Sequence, residues 1–223
     1  IYSSGVINID NSVISNNNNE SSYSVNGSAI YANPAASTII TDSIFSGNNV
    51  NSTDSQSYGG AIYSTSGSNL TISNSIFTGN QATADNAAHG GAIYSYGNVN
   101  IKNSVFIDNN AESANSYAYG GALYSNGFTT IKNTVFKNNT AGSGGSSAYI
   151  YGGAISGEST NLMILTNSVF DANSAFGTAT NTNGVYGGAI FKDSGQLVLI
   201  DSVFTNNSAI SKSFRANGGA IGI

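Results

Sequence analysis

The stretch GGAIYSTSGSNLTISNSIFTGN, residues 59–80, decides the fold. It opens on Gly59-Gly60-Ala61-Ile62 and closes on Phe77-x-x-Asn80, with two short apolar runs between. Both marks recur along the chain. Gly-Gly-Ala-Ile, or its Leu variant, returns at Gly90–Ile93, Gly120–Leu123, Gly152–Ile155, Gly187–Ile190 and Gly218–Ile221, with a degenerate copy at Gly27–Ile30. The steps between first glycines are 32, 31, 30, 32, 35 and 31 residues. The Phe column reads Ile14, Phe45, Phe77, Phe106, Phe136, Phe170 and Phe204. Three residues beyond each stands an Asn, from Asn17 through Asn207. A self-similar period of this size marks a solenoid or another repeat architecture.

The runs are too short for amphipathic helices and rich in Ile, Val, Phe and Tyr, with alternation in stretches such as Leu70-Thr71-Ile72-Ser73. One coil per repeat follows. The reading is an all-β, right-handed, single-stranded parallel β-helix of about seven rungs, one domain over residues 1–223. The chain begins and ends inside a Gly-Gly-Ala-Ile strand without a polar capping repeat, so the segment is expected to belong to a longer solenoid. The link from each Phe block to the next Gly-Gly varies in length and is rich in Ser, Asn, Ala, Tyr and Gly. It is expected as a solvent loop thrown out at a corner, longest at Ala141–Tyr151 and Ser174–Tyr186.

Parallel rungs stack about 4.8 Å apart, so each repeat column becomes a ladder. The Asn of Phe-x-x-Asn is expected to stack side chain on side chain at a corner, in the left-handed conformation that Asn tolerates. Gly-Gly is expected where a side chain would clash or φ is positive. A bend is expected near the Asn/Asp-Ser pair. The Val column that starts at Val13 and the Phe column compete for the interior.

Composition limits the function. Charged residues make up 8% of the chain, with six Lys+Arg against 11 Asp+Glu and a net charge of −5. Such a surface does not neutralise a phosphate backbone, which argues against nucleic acid. No apolar run is long enough to span a membrane. The absence of Cys removes disulfides and thiolate metal sites.

Gly-Gly-Ala-Ile alternating with Phe-x-x-Asn resembles the repeat signature of the chlamydial polymorphic membrane proteins. It is also similar to the repeats of adhesin-like surface proteins of methanogenic archaea, which the Asn/Ser-rich, Cys-free composition fits better. The resemblance implies a secreted, surface-displayed β-helix used in adhesion, with a surface protein or glycan of a host or neighbouring cell as partner. Other readings are a carbohydrate-binding or carbohydrate-active β-helix of the tailspike or lyase kind, and a subunit of an extracellular filament that associates end to end or laterally.

No catalytic, cofactor or metal residues are assigned, and no enzyme activity is expected. The acids are scattered over the repeats. Asp10 and Asp42 are read as one column on adjacent rungs, where Asp substitutes for the Asn of other copies. His89, the single histidine, is read as a surface or corner residue. Lys102 and Lys132 are read as an outward pair. The candidate binding surface is an aromatic ladder, Tyr31, Tyr63, Tyr94, Tyr124 and Phe191, each following the inward Ile or Leu of the Gly-Gly-Ala-Ile strand. Its rings would stack on a sugar or a partner protein.

Overall fold

The computed structural model describes residues 1–158, 160–180, 182–212 and 215–223. They form a parallel β-solenoid, all strand and turn, in which every strand pairs with its counterpart one repeat away. Each coil contributes to five sheets. In the coil that begins at Gly59, sheet 1 holds Ile62–Ser64, sheet 2 Asn69–Ser73, sheet 3 Ile76–Thr78, sheet 4 Gln81–Ala84 and sheet 5 Ala88–His89. Sheet 1 has eight strands and the others seven.

Sheets 1 to 3 enclose the main core. Ile62 on sheet 1, Leu70 and Ile72 on sheet 2, and Phe77 on sheet 3 all point inward and are fully buried, as are their counterparts in the middle coils. The Phe column wins the interior. From Phe45 to Phe204 its rings stack at 4.8–4.9 Å with planes within 10° of parallel. Face-to-face offset stacking adds to the burial energy of each ring. The Val column points out instead, with Val13 at 68% and Ile44 at 37% exposure. It forms a β-branched ladder on the outer face of sheet 3.

The link between the Phe block and Gly-Gly is not a loop. It folds into sheets 4 and 5, joined by short turns, so Thr140–Ser143 and Tyr149–Tyr151 are strands in register with their neighbours. The physical reason is small inward residues. Val50, Ala82, Ala111, Ala141 and Ala175 on sheet 4 face Ser57, Ala88, Ala118, Ile150 and Val185 on sheet 5, all buried. Small side chains let the two sheets close on each other into a thin second lobe.

The lobes meet at a waist held by the repeat's two marks. The first Gly of Gly-Gly has φ between +37° and +67° in every copy. The second is held by space: a Cβ on Gly60 would lie 2.1 Å from the Gly91 carbonyl oxygen and 2.5 Å from that of Gln81. Facing this corner, Asn48, Asn80, Asn109, Asn139 and Asn173 lie fully buried, with Asn17 and Asn207 less so at the two ends. Asn17 Nδ2 donates to Asn48 Oδ1 at 2.8 Å, and the same bond runs through Asn80, Asn109, Asn139 and Asn173 to Asn207 at 2.9–3.0 Å. Each Nδ2 from Asn48 onward also donates to a carbonyl of the preceding coil, Ile14 for Asn48 and Phe45 for Asn80. A buried amide pays a desolvation cost unless its donors and acceptor are used, and here they are. The left-handed position is the residue before it: Asn16, Gly47, Gly79, Asp108, Asn138, Ala172 and Asn206 carry positive φ. The ladder Asn serves as a hydrogen-bonding element, not as the turn residue.

The expected bend at the Asn/Asp-Ser pair is present. Asn11, Asp42, Asn74, Asn103, Asn133, Asn167 and Asp201 have φ of 45–51°. Behind them the Ser column forms a further ladder, in which the Ser43 N–H donates to Ser75 Oγ at 3.2 Å while the Ser43 hydroxyl donates to the Thr41 carbonyl at 2.6 Å. This geometry corrects the reading of Asp10 and Asp42 as one column. Asp10 pairs with Thr41, whose hydroxyl donates to it at 2.5 Å, whereas Asp42 occupies the turn position of Asn11. Asp10 lies one residue beyond its inward Ile and Asp42 two, so the carboxylates lie in different columns.

Candidate binding surface

The expected aromatic ladder exists on the outer face of sheet 1. Tyr2, Tyr31, Tyr63, Tyr94 and Tyr124 stack with centroids 4.7–5.2 Å apart. Ser156 interrupts it, so Phe191 is separated from Tyr124 by one rung and packs on Tyr151 at 4.4 Å instead. Tyr31 and Tyr63 are half-buried, while Tyr94 and Tyr124 are only 3% exposed and Phe191 8%.

What covers them is a second ladder on sheet 5, immediately before Gly-Gly: Tyr58, His89, Tyr119, Tyr151 and Tyr186. Its rings stack 4.5–5.5 Å apart. The outer faces of sheets 5 and 1 meet at the glycine corner, and the two ladders interlock edge to face there. Tyr58 meets Tyr94 at 4.9 Å and 66°, and His89 meets Tyr124 at 5.3 Å and 90°. His89 is therefore not a free surface residue. It is sandwiched between Tyr58 and Tyr119, and its Nδ1 is enclosed without a hydrogen-bond partner among the described residues. Burial pulls its pKa down to about 3, so the ring is neutral at ordinary pH. Burial also raises Tyr63 to about 12 and pushes Tyr94 and Tyr124 further up.

Tyr2, the first rung, and Tyr23 are the most exposed tyrosines; two others that reach solvent lie at the margins of this zipper. Tyr117 is 37% exposed and stacks on Tyr149 at 5.9 Å, both two residues before the sheet 5 ladder. Tyr96, at 43%, borders the sheet 1 ladder. In a stacked ladder the ring faces are taken by the neighbouring rungs. Edges and hydroxyls are what remains for a partner.

One acidic feature escaped the sequence reading. Glu158 and Asp193 follow the sheet 1 strand on successive coils, with the Asp193 N–H donating to the Gly157 carbonyl at 3.0 Å. Tyr124 Oη donates to Glu158 Oε2 at 2.8 Å. Burial raises the Glu158 pKa; the Tyr124 bond opposes this and Asp193 adds to it. The coil registers place these residues together, while their spacing of 34 and 35 residues hides the relationship. Lys192 turns inward at the position of Ser64, Ser95 and Ser125, into space left by Gly157, and burial lowers its pKa. Lys102 and Lys132 pair in register and point outward, as expected. Among the described residues no three His, Cys, Asp or Glu side chains come together in a way that would hold a metal ion. Among the described residues no helix is long and apolar enough to cross a membrane.

These features define a parallel β-solenoid with aliphatic, phenylalanine and asparagine ladders inside and an aromatic zipper outside. Residues 42–65 and 74–96 match the Chlamydia polymorphic membrane protein (Chlamydia_PMP) repeat, so two successive stretches of the chain carry that repeat. That family is surface-exposed. No curated protein and no solved structure matches the chain.

Proposed function

We propose that this segment belongs to a cell-surface β-helix that mediates attachment by binding, without catalysis, to a surface protein of a host or neighbouring cell. The observation that carries the reading is the stacked tyrosine surface beside sheet 5. Exposed Tyr117 stacks on half-buried Tyr149, and tyrosine supplies large contact area at low entropic cost. Stacking on Tyr117 and Tyr186 takes both faces of Tyr149, which favours a protein partner over a glycan at this surface. The sheet 1 ladder then serves as the floor that fixes the exposed rings. A cell-adhesion assay with Tyr117→Ser/Tyr149→Ser tests this reading: adhesion is lost if sheet 5 is the contact surface and retained if the segment is only a stalk.

A further inference from the structure

Sheet 2 carries a second outer surface of different chemistry. Its middle strands place three residues each on the outer face in register: Asn69, Thr71 and Ser73, then Asn98, Asn100 and Lys102, then Phe128, Thr130 and Lys132. Phe128 sits beside Asn98, because its carbonyl accepts the Val99 N–H at 2.9 Å. The central outward column runs Ile39, Thr71, Asn100, Thr130, Ile164. Three short polar side chains between two isoleucines leave a depression of about 350 Å³, lined by Asn69, Thr71, Asn98, Asn100, Phe128 and Thr130. That volume lies at the small end of ligand sites.

Three properties of the depression agree on one ligand class. Phe128 is 41% exposed and lines the depression, and among the described residues no other ring stacks on it. An exposed aromatic ring suits the C–H face of a sugar. The amides supply hydroxyl partners. Asn98 Nδ2 donates to Asn69 Oδ1 at 3.2 Å, which leaves the Asn98 oxygen as an acceptor and the Asn69 amide as a donor, while Asn100 makes no hydrogen bond to a described residue. Lys102 and Lys132 lie two residues along the same strands, about 7 Å from Asn100 and Thr130. They are exposed, adjacent and without a carboxylate partner among the described residues. Two like charges one rung apart favour an anionic group between them.

We propose that this depression binds a saccharide unit carrying a carboxylate, with the sugar face on Phe128, its hydroxyls on Asn69, Asn98 and Asn100, and its acid on Lys102 and Lys132. The assignment does not depend on attachment through sheet 5. It is tested by titrating the 223-residue protein with trigalacturonate and with neutral galactotriose, reading saturation transfer and heat of binding. Trigalacturonate is expected to bind, with transfer to its ring C–H protons lost in Phe128→Ala and in Asn100→Ile, which fills the floor. Lys102→Gln and Lys132→Gln should each weaken it about two- to fivefold, the range of an exposed ion pair. Galactotriose should bind more weakly than trigalacturonate, and Tyr117→Ser/Tyr149→Ser should leave both affinities unchanged. All substituted side chains are solvent-facing, and thermal unfolding verifies that the variants fold. No binding of either sugar, or binding indifferent to Phe128→Ala, overturns the site. Equal binding of the two sugars overturns its acidic specificity.

Discussion

Asn80 Oδ1 accepts both the side-chain amide of Asn48, at 2.9 Å, and its backbone N–H, at 3.1 Å. One buried oxygen thus ties two coils together twice, and Asn80 Nδ2 passes the bond on to Asn109 while also holding the Phe45 carbonyl.

Replacing a middle member should therefore be costly. Asn109→Ala strands the two donors of Asn80 and the Phe77 carbonyl, all buried, while Asn139 Oδ1 keeps only the backbone N–H of residue 109. At about 1–3 kcal/mol per stranded group, partly relieved by water, a loss of about 3–5 kcal/mol is expected in denaturant unfolding. Asn109→Asp should be less damaging in acid. Burial opposite two acceptors raises the folded-state pKa of the new carboxyl above its unfolded value. The protonated form is then the tolerated one, and stability falls as pH rises through that pKa.

Gly60 and Gly79 should respond to alanine for different reasons. A Cβ at Gly60 collides with the Gly91 and Gln81 carbonyls in a waist that cannot widen without parting the two lobes. Gly60→Ala should fail to fold, or lose most of its stability. Gly79 has φ of +60° but open space around its missing Cβ. Gly79→Ala should cost only about 1–2 kcal/mol of left-handed strain, read from the unfolding midpoint.

His89 should make the protein sensitive to acid. Its folded pKa, about 3, lies below the ordinary value of 6.5. The unfolded chain therefore takes up the proton first, and stability present above about pH 6.5 declines as pH falls toward 3. His89→Tyr restores the residue of Tyr58 and Tyr119 in the same column and should flatten that part of the curve. Thermal midpoints of the two proteins at pH 7 and pH 4 measure the difference, with other titrating groups common to both.

The legible part of this fold is the part with identical residues in every coil. The Phe-x-x-Asn and Gly-Gly columns announce themselves because the waist accepts one residue type at each position. Sheets 4 and 5 were hidden, since their inward positions need only be small: Ala82, Ala111 and Ser113 have no strong strand preference and read as loop. Asp10 and Asp42 look like one column by residue type, but they stand one and two residues beyond Ile9 and Ile40. The sheet 1 tyrosines were legible as a ladder, but not their cover. That cover depends on the angle at the glycine corner, which brings Tyr58, His89 and Tyr119 over Tyr94 and Tyr124.

The central claim is attachment through the stacked tyrosines beside sheet 5, and its most direct measurement compares two folded variants in one adhesion assay. Tyr117→Ser/Tyr149→Ser removes one exposed and one half-buried ring, neither part of the main core. Val13→Ser/Val203→Ser alters the exposed aliphatic ladder of sheet 3 to a similar extent and serves as the control. The account predicts that the tyrosine variant loses adhesion while its thermal midpoint and the control's adhesion stay at the level of the parent protein. Adhesion undiminished in the tyrosine variant would contradict it.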